Sequence, residues 1–139
     1  MRGQRISVTA LTVMLMVFAC SSGNDYGEAV DVNTRFVDAM ETYMQGIDGA
    51  DSASAVVDAI DAYAEEIEKL APEIKALAAK HPEWKDIGKV PEELRPVQER
   101  AAALAAQIPA TFMKTMKYMR DAEVQEAHKR LQAAMARMQ

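Results

Sequence analysis

The chain has a single cysteine, Cys20, in 139 residues. No intrachain disulfide, zinc-thiolate cluster or Cys-x-x-Cys-His haem attachment can be built from it, so packing alone must hold the fold. Aromatic residues make up only 6% of the chain, and the six glycines lie mainly at the borders of apolar segments. Strands favour aromatic and β-branched residues in period-two alternation, and no apolar stretch after residue 28 alternates that way. Basic residues are the minority, 16 against 21 acidic ones, and this balance disfavours nucleic acid as a partner. Histidine is scarcer still: His81 and His128 lie far apart in sequence, and neither belongs to a Glu-x-x-His pattern. Carboxylates are plentiful but spread over solvated helix faces, so no general acid/base pair or nucleophile-base triad assembles. The chain is therefore expected not to be an enzyme and to carry no cofactor.

Long apolar runs are also missing. The longest, Ile6 to Ala19, is a mostly apolar, charge-free run of 14 residues and falls short of the ~20 that a membrane-spanning helix needs. Arg2 and Arg5 precede it, which makes the segment a signal-peptide core with a positive head. It ends in Val17-Phe18-Ala19-Cys20, with Ser21-Ser22-Gly23-Asn24-Asp25 directly after. These residues resemble the bacterial lipoprotein signal, whose lipobox has an aliphatic residue three before the cysteine and a small one just before it. Phe18 stands where that family usually has a small or aliphatic residue. The resemblance implies diacylglyceryl transfer to the Cys20 sulfur, cleavage after Ala19 and acylation of the new terminus. Several acyl chains on one residue suffice for stable anchoring. Ser21 in place of an aspartate implies sorting to the outer membrane, facing the periplasm, if the source is Gram-negative.

This divides the chain into a signal peptide at 1–19, a lipidated cysteine with a flexible tether at 20–27, and one domain at 28–139. Without Arg2 and Arg5 the basic total falls by two to 14 against 21 acids, a net charge of −7. Attraction to anionic lipid is then expected to come from the anchor alone.

In the domain the apolar spacing is helical throughout. Phe36, Met40, Tyr43 and Ile47 predict a first helix over 28–47, with Gly46 and Gly49 allowing a left-handed turn after it. Asp51 or Ser52 caps a second helix whose stripe is Val56, Ile60, Tyr63, Ile67, Leu70, Ile74 and Leu77, with Glu65 and Lys69 paired outside. The phase runs through Pro72, so a kinked but continuous helix ending near Lys80 is expected. Residues 81–90 have no period, and Trp84 and Ile87 are expected to fold over the end of the bundle. Pro91-Glu92-Glu93 is a helix start. From Val97 a third helix, kinked at Pro109, carries Ala101, Leu104, Ile108, Phe112, Met116 and Met119. Asp121 opens the last helix, with Val124, Ala127, Leu131, Ala134 and Met138 inward and Glu126 paired with Arg130. Four amphipathic helices imply an all-α, antiparallel up-down four-helix bundle. The alternative is a three-helix bundle in which residues 97–138 form one long bent helix.

Two groups of residues raise ligand chemistry. A small exported bundle with methionines in its first helix resembles the cytochrome b562 family in layout. That likeness would make Met40 or Met44 one haem ligand and a histidine of the last helix the other. His128 lies early in that helix with no histidine after it, unlike the family pattern. Met113, Met116 and Met119 form Met-x-x-Met-x-x-Met; their expected role is to fill core gaps beside Pro109, with a soft thioether site for Cu(I) as the alternative. The sequence thus points to a lipid-anchored envelope module that binds or scaffolds a protein partner, with a haem- or copper-binding bundle as the alternative.

Overall fold

A computed structural model describes residues 24–139, and all regular structure in them is helical. The elements are α1 (Asn24–Gly49), α2 (Ala53–Lys80), α3 (Arg95–Ala105), α4 (Ile108–Met116) and α5 (Ala122–Ala136). Three single 3₁₀ turns, Pro82–Lys85, Ile87–Lys89 and Glu92–Leu94, connect α2 to α3. Cys20 and the segment 1–19 lie outside the described residues. Asn24–Gly27, expected in the tether, belong instead to the first turn of α1.

Local chemistry sets most boundaries. The Ser52 hydroxyl accepts from the Ala55 N–H at 3.2 Å, satisfying one of the free amides at the start of α2. Asp121 has extended backbone, and its carboxylate accepts from Glu123 and Val124 at 2.9 and 3.3 Å. That cap separates α5 from what precedes it and excludes the single long helix over 97–138. α1 ends without a left-handed residue, since no described glycine has positive φ. The Ala50 N–H instead donates to the Ile47 carbonyl at 3.3 Å in a tight last turn.

The two prolines in apolar stripes behave differently. α2 runs unbroken through Pro72, whereas α3 stops at Ala105, four residues before Pro109, and α4 starts anew at Ile108. A proline inside a helix costs about 3 kcal/mol through a lost hydrogen bond and a clash with the carbonyl four residues back. Around Pro72 that cost is offset by buried Ile67, Leu70, Ala71 and Leu77. Around Pro109 only Leu104 and Thr115 are buried, so the helix divides and the expected kink becomes a break at 106–107.

Ion pairs reveal the running directions. Lys80 at the end of α2 meets Glu28 at the start of α1, so the two helices are antiparallel. Arg100 pairs with Asp38 and Glu41, and Lys114 with Asp48, so α3 and then α4 follow α1 in its own direction. Arg130 meets Asp61 and Arg137 meets Glu68, which lays α5 along α2, parallel to it. These pairs are exposed and fix register more than stability. Glu65 pairs with Lys69 as expected, but Glu126 takes Lys129 while Arg130 reaches across to α2.

Three apolar clusters fill the spaces. Ile47, Val56, Ile60, Ile67, Val124, Ala127 and Ala134, all almost fully buried, join α1, α2 and α5. Ala29, Val32, Leu77 and Leu94 close the other end, with Trp84 packed over them. Val37, Met44 and Leu104 bind α3 to α1. Within the first cluster the rings of Tyr43 and Tyr63 stack 4.9 Å apart. Burial pushes the Tyr63 phenol up to about 12, with Tyr43 adding to the effect, and raises Tyr43 in the same direction. A raised phenol pKa gives stability that is complete below the ordinary value of 10.0 and lost as pH rises from there to about 12. Denaturant unfolding should therefore show a loss of about 2–3 kcal/mol over that window, most of it absent in Tyr63→Phe.

Candidate functional site

α4 is nine residues long and packs on the last third of α1. Following Leu104 at four-residue steps leads through Ile108 and Phe112 to Met116, but each such step drifts about 40° around the helix. The residues turned toward α1 are instead Thr111 and Thr115, one turn apart on the other side of the helix. Thr115 is buried, and its hydroxyl donates to the Thr111 carbonyl at 3.0 Å. Short threonines let α4 lie close to α1, and this back-bond satisfies the hydroxyl that a core position would otherwise strand.

The larger apolar residues consequently point outward. Ile108 is 48% exposed, Phe112 54%, Met113 66% and Met116 46%. Together they form one continuous face of the helix, far more apolar than a surface helix presents by default. Their expected role as core residues is therefore corrected for Ile108, Phe112, Met113 and Met116. Met119 does pack against the main cluster.

The charge around this face is reversed from the rest of the molecule. Between Glu99 and Asp121 there is no carboxylate, while Arg100, Lys114, Lys117 and Arg120 all fall in that stretch. Arg100 and Lys114 are committed to partners on α1, and Lys117 and Arg120 are exposed and in no ion pair among the described residues.

Beside the face a pocket of about 100 Å³ opens between α4, α1 and α5, lined by Tyr43, Met44, Ile108, Phe112, Thr115 and His128 among others. Nδ1 of His128 is buried and has no hydrogen-bond partner. The structure thus brings Met44 and His128 to one pocket, while Met40 is not part of its lining. Its volume is about a third of the ~300 Å³ at which small-molecule sites begin, so a haem cannot enter without parting the helices.

No family model, curated protein or solved structure matches this chain. Function has to be read from the geometry.

The remaining sequence candidates are dispersed. Met113 and Met116 face solvent while Met119 packs on the core, so the three thioethers do not share one environment. His81 follows the end of α2, where its N–H donates to the Leu77 carbonyl at 2.9 Å and its ring stacks on Trp84 at 3.8 Å. No group of three or more His, Cys, Asp or Glu side chains gathers among the described residues. No helix there is long and apolar enough to cross a membrane. A wide groove of about 630 Å³ runs between α1 and α2, but its floor is the close helix crossing at Gly46, Ala55 and Ala59. The α4 face was missed in sequence because hydropathy places Phe112 and Met116 inside. The acid-free stretch from 100 to 120 is the signal that could have marked it.

Proposed function

We propose that this protein is a lipid-anchored module of the cell envelope that acts by binding, without catalysis, through the exposed face of α4. The observation that carries the reading is the outward display of Phe112, Met113 and Met116 beside unpaired Lys117 and Arg120. Four large apolar side chains on one short helix are costly to leave in water unless something covers them. In this reading α3 and α4 together form the third column of an up-down four-helix bundle, broken where Pro109 frees α4 to present its own face.

Anchoring is carried by the resemblance at Val17-Phe18-Ala19-Cys20. Cells expressing the chain and fed a clickable fatty acid should label the wild type, and Cys20→Ser should lose the label completely. Label on the variant, or none on the wild type, sinks the anchor. For the binding face, a photo-crosslinking residue at Met113 should capture a neighbour in intact cells, whereas one at Glu65 on the exposed face of α2 should not.

A metal reading is favoured by one observation, the shared pocket of Met44 and His128 with its unpartnered Nδ1. A thioether and an imidazole are suitable donors for Cu(I), and the pocket has room for an ion. Competition against a chromogenic Cu(I) chelator, with His128→Gln alongside, decides it: equal, weak binding by both chains removes this reading.

A further inference from the structure

The occupant of the α4 face can be argued from charge, from the position of the face and from the length of chain that precedes α1. Met113 is the most exposed of its residues. At about 100° per residue, Phe112 and Met116 lie to one side of it and Lys117 to the other. Arg120 follows in the turn after α4. An apolar centre with a basic edge and no acid is the pattern of a helix lying in the headgroup region of a bilayer.

We propose that α4 is a second membrane contact, which seats the anchored bundle on its side against an anionic lipid surface. The proposal deepens the binding role above and takes its anchor from that reading.

Only Ser21, Ser22 and Gly23 separate Cys20 from the first residue of α1, a reach of at most about 14 Å. The start of α1 is therefore held close to the lipid. Ile108 and Met44 line one pocket, and Met44 is 20 residues along α1 from Asn24, or about 30 Å. A bundle standing upright on the start of α1 would hold Lys117 and Arg120 that far from the surface. Screening over a Debye length of about 8–10 Å would cancel their attraction. Lying on its side, the bundle brings them to the headgroups.

The mature chain is acidic, so an anionic surface repels most of its faces. The stretch from Arg100 to Arg120 has no carboxylate; Asp48 holds Lys114 and Asp121 caps α5, and the exposed Glu123 lies past the cap on the next helix. Repulsion elsewhere and attraction here select the same face. Because the anchor already confines the protein to the membrane, a weak second contact is enough to fix its orientation.

The test uses the full, processed chain from cells, reconstituted in vesicles rich in phosphatidylglycerol or made of phosphatidylcholine. Peroxide oxidation is followed by mass spectrometry, with buried Met44 as internal reference. Oxidation of Met113 and Met116 should slow on the order of fivefold or more in the anionic vesicles. The double variant Lys117→Glu/Arg120→Glu should shift the docking equilibrium by at least about 30-fold and restore their oxidation. Equal oxidation of Met113 in both vesicles means an upright bundle and overturns the proposal. So does equal protection in both, or protection in micelles that depends on protein concentration, which would make the occupant a second copy. The same digest reports the mass of the Cys20 peptide. Charge-dependent protection without acyl mass retains the α4 contact and rejects the anchor; acyl mass without protection does the reverse.

Discussion

Ile67→Asp is expected to abolish cooperative unfolding, or to leave a domain largely unfolded without denaturant. Ile67 is completely buried where α1, α2 and α5 meet, among Ile60, Tyr63, Leu131 and Ala134. Removing its side chain from that cluster forfeits about 2–3 kcal/mol of apolar burial. The carboxylate that replaces it has no cation among those neighbours, and a buried, unpaired charge costs several kcal/mol more. The sum rivals the whole stability of an ordinary domain, about 5–15 kcal/mol. Urea titration followed by far-ultraviolet circular dichroism is the measurement. Glu65→Ala is the matched control two residues away: its side chain is 69% exposed, and Lys69 keeps Glu66 at 2.9 Å, so the midpoint should not move. A cooperative transition for Ile67→Asp near the wild-type midpoint would show that this cluster is not the core.

The second large effect is predicted at Gly46, where helix propensity and packing disagree in sign. Alanine in place of a mid-helix glycine ordinarily stabilises by about 1 kcal/mol. A Cβ at Gly46, however, would stand 2.9 Å from the Cβ of Ala59 on α2. Neither atom can move without its backbone, so α1 and α2 must separate at their crossing and loosen Ile47, Val56 and Ile60 with them. Gly46→Ala should therefore destabilise by about 1–3 kcal/mol, and Gly46→Leu by about 3 kcal/mol or more. Gly49 supplies the contrast, because a Cβ there meets nothing within 4 Å. Gly49→Ala is expected to be neutral or mildly stabilising. Unfolded side by side, Gly46→Ala should lose stability and Gly49→Ala should not; a stabilised Gly46→Ala would mean that the helices do not cross this closely.

Much of the domain was legible in the sequence. The heptad-like stripe from Val56 to Leu77 marked α2 because it is buried from both sides, so every inward position carries an apolar residue. Ser52 and Asp121 marked helix starts because capping depends only on a local side chain and its own next turn. Trp84 folding over one end followed from a long connection that contains a large apolar group. These features are set within a few residues, and periodicity reads them directly.

Other features depended on what lay across the gap. The same residue type at Pro72 and Pro109 gave a continuous helix in one case and a break in the other, because burial on α2 offsets a cost that the sparsely covered α3–α4 column cannot. Gly46 read locally as a chain-turning residue, whereas its function is set by Ala59 on another helix. Thr111 and Thr115 occupied the inward track of α4 because α1 comes close enough to exclude larger side chains, and this turned Phe112, Met113 and Met116 out to solvent. Composition and helical period thus determined that the chain is helical, where most helices begin and which face of α2 is buried. Only the tertiary structure decided which proline breaks its helix, how closely α1 meets α2 and which face of α4 is left uncovered, since each depends on the distance to a neighbouring helix that no local pattern encodes.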